Sequence, residues 1–163
     1  MRSYNVIYSA IFFDLTLLER AMLLEQFIGE DHWPESGDLE DVVLNVTQRT
    51  HPNLFSTHMT LRFRPHPDSD HFRSVLENEG QEIRVRVTGR GHYNEPAWAL
   101  VVEPDPLRLQ QFGIECDNDI PHITLATAEG VRPATSNEVL ARGYEPLAHP
   151  FTLTGRLGVF RGR

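Results

Sequence analysis

Residues 119 to 127 read D-I-P-H-I-T-L-A-T, and residues 55 to 63 read F-S-T-H-M-T-L-R-F. Both stretches contain His-x-Thr-Leu, and each follows turn-forming residues and otherwise has the pattern of a buried strand. A single His-x-Thr-Leu occurs readily by chance. Two copies on apolar strands, one in each half of the chain, favour a functional role for these residues.

The spacing of histidine and threonine places both on one side of each strand, because residues i and i+2 of a strand share a face. His58 and Thr60 thus point away from the aliphatic side of the first strand, and His122 and Thr124 do so on the second. If the strands lie side by side or face one cleft, two imidazoles and two hydroxyls converge. The alternative is that each histidine only packs within its own strand.

Two neighbouring imidazoles suit acid–base catalysis at a phosphodiester. The ordinary pKa of imidazole is about 6.5, so near neutral pH one ring can act as a base and another as an acid. Each positioned proton transfer contributes roughly 10²–10⁴ to the rate. Threonine hydroxyls can donate to phosphate oxygens that gain charge in the transition state. The pattern therefore predicts displacement at phosphorus with no metal and no cofactor.

Composition limits the protein class and its partners. The chain has 163 residues, of which 40% are hydrophobic, which is enough to bury a core. Its net charge is −8 and all 15 basic residues are arginine, so no long nucleic acid is expected as a partner. Cys116 is the only cysteine, which is compatible with a reducing, cytoplasmic location. No apolar run is long enough for a membrane span and no leader segment is evident, and a monomer is favoured.

Strands and helices are mixed without strict alternation, which predicts an α+β protein. Thr16 and Glu19 fit a capping box at the start of a helix, and Ser136 and Asn137 are expected to cap another. The predicted strands cover residues 6–13, 42–46, 57–63, 83–87, 97–102, 120–126 and 151–160. The predicted helices cover residues 16–28, 70–79 and 135–142.

The paired His-x-Thr pattern resembles that of the 2H phosphoesterase superfamily. More narrowly, residues 121 to 140, P-H-I-T-L-A-T-A-E-G-V-R-P-A-T-S-N-E-V-L, look like the second motif of the cyclic phosphodiesterase domain of plant and fungal tRNA ligases. Residues 150 to 160, P-F-T-L-T-G-R-L-G-V-F, resemble the last strand of that domain. The likeness is strongest from about 117 to 160 and from 57 to 64. The kinase and ligase portions of those enzymes are absent, so we expect a stand-alone module.

The resemblance implies a single domain over residues 1–163 with two pseudo-symmetric lobes. In such a bilobal fold, two antiparallel sheets with outer helices enclose a central cleft. It also implies metal-independent hydrolysis of a 2′,3′-cyclic phosphate, on an RNA end or a mononucleotide, to a 2′-phosphate. Carried over by position, His122 would activate water, His58 would protonate the leaving 3′-oxygen, and Thr60 and Thr124 would hold the non-bridging oxygens. The acid and base roles can be exchanged without changing the pattern.

Further substrate-binding residues are suggested by type and position. Arg62 has the same parity as His58, so on a regular strand it would reach the cleft and grip a phosphate or stack on a base. Its alternative role is that of a solvated arginine at an edge. Tyr8, Tyr93 and Trp98 offer surfaces on which a base could stack, although such residues more often pack in the core or at a sheet edge.

Two other functions are compatible with the same residues. A 2H-type hydrolase could act on 3′,5′-linked cyclic oligonucleotide signals. Alternatively, the cleft could bind a nucleotide without catalysis, although both His-x-Thr pairs are intact. A metal site built from the histidines is a more remote possibility, because their spacing is not that of metal ligands.

Overall fold

The computed structural model describes residues 5–16, 19–20, 23–24, 51, 53–54 and 58–162. The predicted strand at 42–46 and most of the predicted helix at 16–28 lie outside these residues. The strands and helices in chain order are β1 (Val6–Phe12), β2 (Asn53–Leu54), β3 (His58–Phe63), α1 (Asp70–Glu77), β4 (Glu82–Arg90), β5 (Ala97–Pro104), α2 (Pro106–Phe112), β6 (His122–Thr127), α3 (Thr135–Arg142) and β7 (Glu145–Arg161). The predicted α+β class is confirmed.

The described strands form one seven-stranded sheet in the order β2-β6-β5-β4-β7-β1-β3, and every neighbouring pair is antiparallel. The expectation of two separate sheets, one in each lobe, is therefore corrected. The physical reason is the length of β7, which spans 17 residues. Its residues 145–156 pair with β4, and its residues 156–161 pair with β1, so hydrogen bonding is continuous through this strand.

Gly155 lies where β7 changes its pairing from β4 to β1. A Cβ atom at this position would lie 2.5 Å from Ile11 Cγ2 and 2.8 Å from the carbonyl oxygen of Phe12. These distances are shorter than any ordinary packing contact. A residue without a side chain is therefore required for β1 to approach β7 at this point.

The sheet curves until β3, at one end, lies against β6, which is next to the other end. The chain segment before β6 is bonded to β3: the Asp117 N–H donates to the Leu61 carbonyl at 2.8 Å. The side chain of Asn118 donates to the Thr60 carbonyl at 3.4 Å. The sheet is thus nearly barrel-shaped, and the two His-x-Thr strands come together.

The main core fills the concave interior with the aliphatic residues of both His-x-Thr strands. Met59 and Leu61 from β3 and Ile123 and Leu125 from β6 are all fully buried there. Each such side chain stabilises the fold by about 1.5–3 kcal/mol relative to exposure. The main core also receives one buried residue from α1 and one from α2, Val75 and Leu109.

Buried and exposed residues alternate along β4 as the sequence predicts. Ile83, Val85 and Val87 are buried, and Arg84 and Arg86 between them are exposed. This is the arrangement expected of a strand with one face on the core and the other in water.

The helix termini agree with the sequence in part. The capping box is formed, because the Thr16 N–H donates to Glu19 Oε1 at 3.0 Å and the Glu19 N–H donates to Thr16 Oγ1 at 3.1 Å. The expectation that Ser136 and Asn137 cap α3 is wrong. The N-cap of that helix is Ala134, which makes no side-chain cap, and Ser136 lies inside the first turn.

Helix α2 was not anticipated from the sequence. The Asp105 side chain accepts hydrogen bonds from the N–H groups of Leu107 and Arg108, and Pro106 occupies the first turn. Gly113 ends the helix with a left-handed φ of 71°. These are the usual signals for both helix ends, so the helix was detectable in the sequence. None of the helices in the described part of the chain is long and apolar enough to cross a membrane.

Candidate active site

The two predicted histidines lie at the starts of β3 and β6, the strands that meet where the sheet nearly closes. Burial, together with the charge of the nearby His122, lowers the pKa of His58 to about 4. Burial also lowers the pKa of His122. His122 is therefore close enough to His58 for its charge to affect the pKa of the His58 imidazole.

The orientation of His122 is fixed by the main chain two residues earlier. Its Nδ1 lies 2.8 Å from the carbonyl oxygen of Ile120. Because a carbonyl can only accept, Nδ1 carries the hydrogen, and Nε2 is the atom left for proton exchange. The same bond favours the protonated ring and partly offsets the lowering of the pKa by burial.

Thr124 is held by a residue that the sequence did not point to as functional. Its Oγ1 lies 2.9 Å from Ser136 Oγ, and Ser136 is fully buried in the first turn of α3. Helix α3 is anchored on this side of the sheet by Leu140, which packs on Ala99 and Val101. The sequence feature that could have pointed to a role for Ser136 was its position shortly after the second His-x-Thr motif.

Thr60 is positioned through its backbone. Its carbonyl accepts hydrogen bonds from the Asn118 side chain at 3.4 Å and from Cys116 Sγ at 3.6 Å. Both residues belong to the segment that leads into β6. The threonine of the first strand is thus tied to the chain that presents the second histidine.

Arg62 does not join the His–Thr pairs. Ala10 lies opposite Thr60, but Ser9 lies opposite Arg62, so β3 contains one extra residue at this point. This bulge reverses the parity that the sequence implied. The Arg62 Nε instead donates to Asp117 Oδ2 at 2.9 Å.

The bulge places Arg62 at a cavity of about 770 Å³ away from the two His-x-Thr pairs, and His71 also lines this cavity. His71 Nε2 lies 2.7 Å from Ser9 Oγ in a buried contact, and its Nδ1 has no hydrogen-bond partner within the described part of the protein. Burial and the charge of Arg62 lower the pKa of His71 to about 4, and the charge of Asp117 partly opposes them. This cavity is not lined by either His-x-Thr pair.

Tyr8, one of the predicted substrate-binding residues, lies beside His58. Its ring stacks on His58 with a centroid distance of 4.7 Å and on Phe160 at 5.1 Å. Phe12 adds a further ring, 5.9 Å from His58. Phe12 and Phe160 were missed, because only the pairing of β1 with β3 and β7 shows that they share a face with the histidine.

Tyr93 and Trp98 lie elsewhere. Trp98 is fully buried opposite Ala126, near the other end of β6 from His122, and its Nε1 donates to the Tyr93 carbonyl at 2.8 Å. The Tyr93 ring stacks on Trp98 at 5.2 Å. These two rings therefore pack against each other at this end of the sheet. They do not form a stacking surface beside His58 and His122.

The chemistry available at the site is thus proton transfer by two imidazoles and hydrogen bonding by two hydroxyls. Among the residues that the structure describes, no three His, Cys, Asp or Glu side chains are grouped so as to hold a metal ion.

The fold is similar to that of a solved protein. A crystal structure of a fungal RNA kinase matches 99% of this chain and 47% of its own chain with a TM-score of 0.65 and 13% sequence identity. At this identity the likeness concerns the fold alone, and the present chain spans about half the length of that one. No significant match was found among curated proteins.

The family is established by the sequence. The model of the fungal tRNA ligase phosphodiesterase domain matches residues 45–149, which include both His-x-Thr stretches. This range exceeds half of the chain and confirms the resemblance noted in the two motifs. The chain therefore belongs to the family of fungal tRNA ligase phosphodiesterase domains.

Proposed function

We propose that the protein hydrolyses a 2′,3′-cyclic phosphate, on an RNA end or a mononucleotide, to a 2′-phosphate without a metal ion. The observation that carries this proposal is the meeting of two His-x-Thr strands in a member of a cyclic phosphodiesterase family. The catalytic residues would be His58, Thr60, His122 and Thr124.

The reaction would proceed by attack of a water oxygen on phosphorus. One histidine takes the proton of the water as the P–O bond forms. The other gives its proton to O3′ as the P–O3′ bond breaks, so that protons and charge balance. The hydroxyls of Thr60 and Thr124 donate to the non-bridging oxygens, on which negative charge increases.

The environments of the two rings favour one assignment of their roles. Two adjacent imidazolium ions repel each other, so the pair carries one proton at pH values between its two pKa values. His122 is favoured as its carrier because its Nδ1–H is bonded to the Ile120 carbonyl. We therefore assign His122 as the acid and His58 as the base. This assignment is the reverse of the one carried over by position from the family.

The decisive experiment is hydrolysis of 2′,3′-cyclic AMP in EDTA, with 2′-AMP and 3′-AMP resolved by chromatography. We expect 2′-AMP from the wild type and a loss of at least about 100-fold in kcat for His58→Ala and for His122→Ala. His149→Ala is the matched control, since that side chain is exposed.

Other outcomes have definite meanings. A 3′-AMP product would reverse the geometry inferred for the leaving group. Activity abolished by EDTA and restored by a divalent ion would contradict a metal-independent mechanism. Binding of the nucleotide without turnover would leave only the binding function.

A further inference from the structure

The two His-x-Thr strands meet without being hydrogen-bonded neighbours in the sheet. Strand β3 is the last strand at one end, so among the described strands it pairs with β1 alone, whereas β6 pairs with β5 and β2. Residues 116–118, which lead into β6, join β3 to the other end of the sheet. The spacing of the two candidate catalytic histidines therefore depends on how this segment is attached to β3.

The bulge in β3 allows this attachment. In a regular strand, the carbonyl groups of successive residues point to opposite sides. In β3, the carbonyls of both Thr60 and Leu61 bond to the 116–118 segment. Leu61 accepts from the Asp117 N–H at 2.8 Å, and Thr60 accepts from the Asn118 side chain at 3.4 Å. The extra residue in the strand lets two neighbouring carbonyls serve one segment.

An ion pair reinforces the attachment. The Arg62 Nε donates to Asp117 Oδ2 at 2.9 Å. Asp117 is thus bound to β3 twice, through its own N–H and through its carboxylate. Both bonds can form together only when the segment has one position along β3, so the ion pair selects that position.

Arg62 is also held from the interior of the protein. Its carbonyl accepts from Ser9 Oγ at 3.5 Å, and the same oxygen lies 2.7 Å from His71 Nε2. When the Ser9 hydroxyl donates to this carbonyl, the Nε2–H of His71 donates to Ser9. Both Ser9 and His71 are buried, where polar groups cost free energy unless they are bonded. This buried pair fixes the backbone from which the Arg62 side chain extends to Asp117.

We propose that Arg62 and Asp117 are positioning residues of the candidate active site, and that their ion pair sets the distance between the two His-x-Thr motifs. The inference rests on the proposed function, since that function needs His58 and His122 to act on one phosphate. Arg62 lies four residues after His58, and Asp117 lies five residues before His122. At ~3.3 Å per residue, Arg62 is about 13 Å from His58 along β3, so it acts through the strand.

The exposure of the ion pair separates positioning from stability. The Arg62 and Asp117 side chains are 29% and 49% exposed. A pair this exposed contributes little to stability, because water screens its charges. Removing it should therefore leave the free energy of unfolding nearly unchanged, whereas the displacement of a catalytic group lowers the rate strongly. A merely structural role would instead lower stability and leave kcat unchanged.

Hydrolysis of 2′,3′-cyclic AMP by Asp117→Ala and Arg62→Ala tests the inference, with urea unfolding of the same variants. We expect each to lower kcat by roughly 5- to 12-fold, the range between a strong exposed ion pair and a charged hydrogen bond, with a smaller change in KM. Glu145→Ala is the matched control, because the Arg90–Glu145 pair is similarly exposed, at 30% and 55%, and joins β4 to β7. Equal kcat values in Asp117→Ala and Glu145→Ala would overturn the inference.

Exchange of the two charges tests the ion pair itself. Arg62→Asp alone places two carboxylates together, and Asp117→Arg alone places two guanidinium groups together, so each should lower kcat. The double variant restores a pair of opposite charges and should recover part of the lost kcat. A double variant no more active than the single variants would show that the ion pair does not position the motifs.

The inference and the proposed function fail in distinguishable ways. No turnover by the wild type contradicts the proposed function. Proton–carbon NMR signals of the His58 and His122 rings at neutral pH test the inference without activity. Both signals should shift in Asp117→Ala and keep their wild-type positions in Glu145→Ala. Unchanged ring signals in Asp117→Ala would overturn the positioning role whether or not the protein turns over the nucleotide.

Discussion

The two threonines of the candidate active site are held in different ways. Thr124 contacts the fully buried Ser136 through its hydroxyl, whereas Thr60 is fixed through its carbonyl by Asn118 and Cys116. A hydroxyl that accepts from Ser136 keeps its own hydrogen free for a phosphate oxygen. Ser136 is thus a positioning residue for Thr124, although it need not touch the substrate.

Replacement of Ser136 by alanine tests this role. The change removes the partner that orients the Thr124 hydroxyl, and the loss of one hydrogen bond corresponds to a decrease of roughly 2- to 12-fold. We expect this decrease in kcat for 2′,3′-cyclic AMP, with a smaller change in KM. Asn137→Ala, on the next and exposed residue, is the matched control. Equal kcat values for Ser136→Ala and the wild type would rule out a positioning role.

The pH dependence of kcat/KM follows from the two histidines. As the base, His58 must be neutral, and burial together with His122 lowers its pKa to about 4, so activity should rise with pH through this value. As the acid, His122 must be protonated, and burial lowers its pKa below 6.5, so activity should fall again as the pH rises through that lowered pKa. The profile of the free enzyme is therefore expected to be a bell with its maximum below pH 6.5.

Initial rates with 2′,3′-cyclic AMP between pH 3.5 and 8.5 measure this profile, with circular dichroism as a check that the protein stays folded. A plateau that extends to pH 8 would contradict the assignment of His122 as a protonated acid with a lowered pKa.

Among the structural elements, β7 has the largest effect on the architecture. It pairs with β4 along most of its length and with β1 along its last part, and Gly155 marks the change. The bulge in β3 and the segment before β6 then determine which side chains reach the site. Arg62 is turned away to Asp117, while Asn118 binds the backbone of Thr60.

Gly155→Ala should destabilise the protein. The added methyl group would lie 2.5 Å from Ile11 Cγ2 and 2.8 Å from the Phe12 carbonyl oxygen, so β1 must move or the pairing must open. Overpacking of this kind costs about 1–3 kcal/mol. Urea unfolding followed by circular dichroism measures the change in the free energy of unfolding.

Gly158→Ala, in the same strand, is the matched control for this substitution. A Cβ there would come no closer than 3.4 Å to Phe12, which is an ordinary contact. Equal stability of the two variants would show that the close approach at Gly155 does not constrain the sheet.

At the scale of the whole molecule, the near closure of the sheet buries polar groups together with the apolar core. His71 is one of them, since only 6% of it is exposed and it contacts Ser9 inside the protein. In the unfolded chain a histidine takes up a proton near pH 6.5, but burial lowers the pKa of folded His71 to about 4. Its contribution to stability is therefore full above pH 6.5 and is lost as the pH falls toward 4.

His71→Asn should reduce the acid sensitivity of folding. Between pH 7 and pH 5, the proton uptake by unfolded His71 lowers the free energy of unfolding by up to about 2 kcal/mol, and the variant lacks this loss. Urea unfolding at both pH values measures the difference. His149→Asn is the control, because that residue is exposed. The same pH slope in His71→Asn and the wild type would contradict a buried neutral His71.

The sequence alone determined the features that depend on local spacing. The alternation of Ile83, Val85 and Val87 with arginines, the capping box at Thr16 and the i, i+2 spacing in both His-x-Thr motifs each follow from the period of a strand or a helix turn. The family was also evident, because its motifs are contiguous stretches of residues. Helix α2 was detectable by its capping residues as well.

Only the tertiary structure decided what depends on pairing between distant strands. The shared strand β7 joins two expected sheets into one, and a single extra residue in β3 turns Arg62 to the other side. Cross-strand register likewise places Phe160 and Phe63 beside Tyr8. Register and bulges are set by contacts between residues far apart in the chain, and a shift of one residue reverses the face of every side chain that follows.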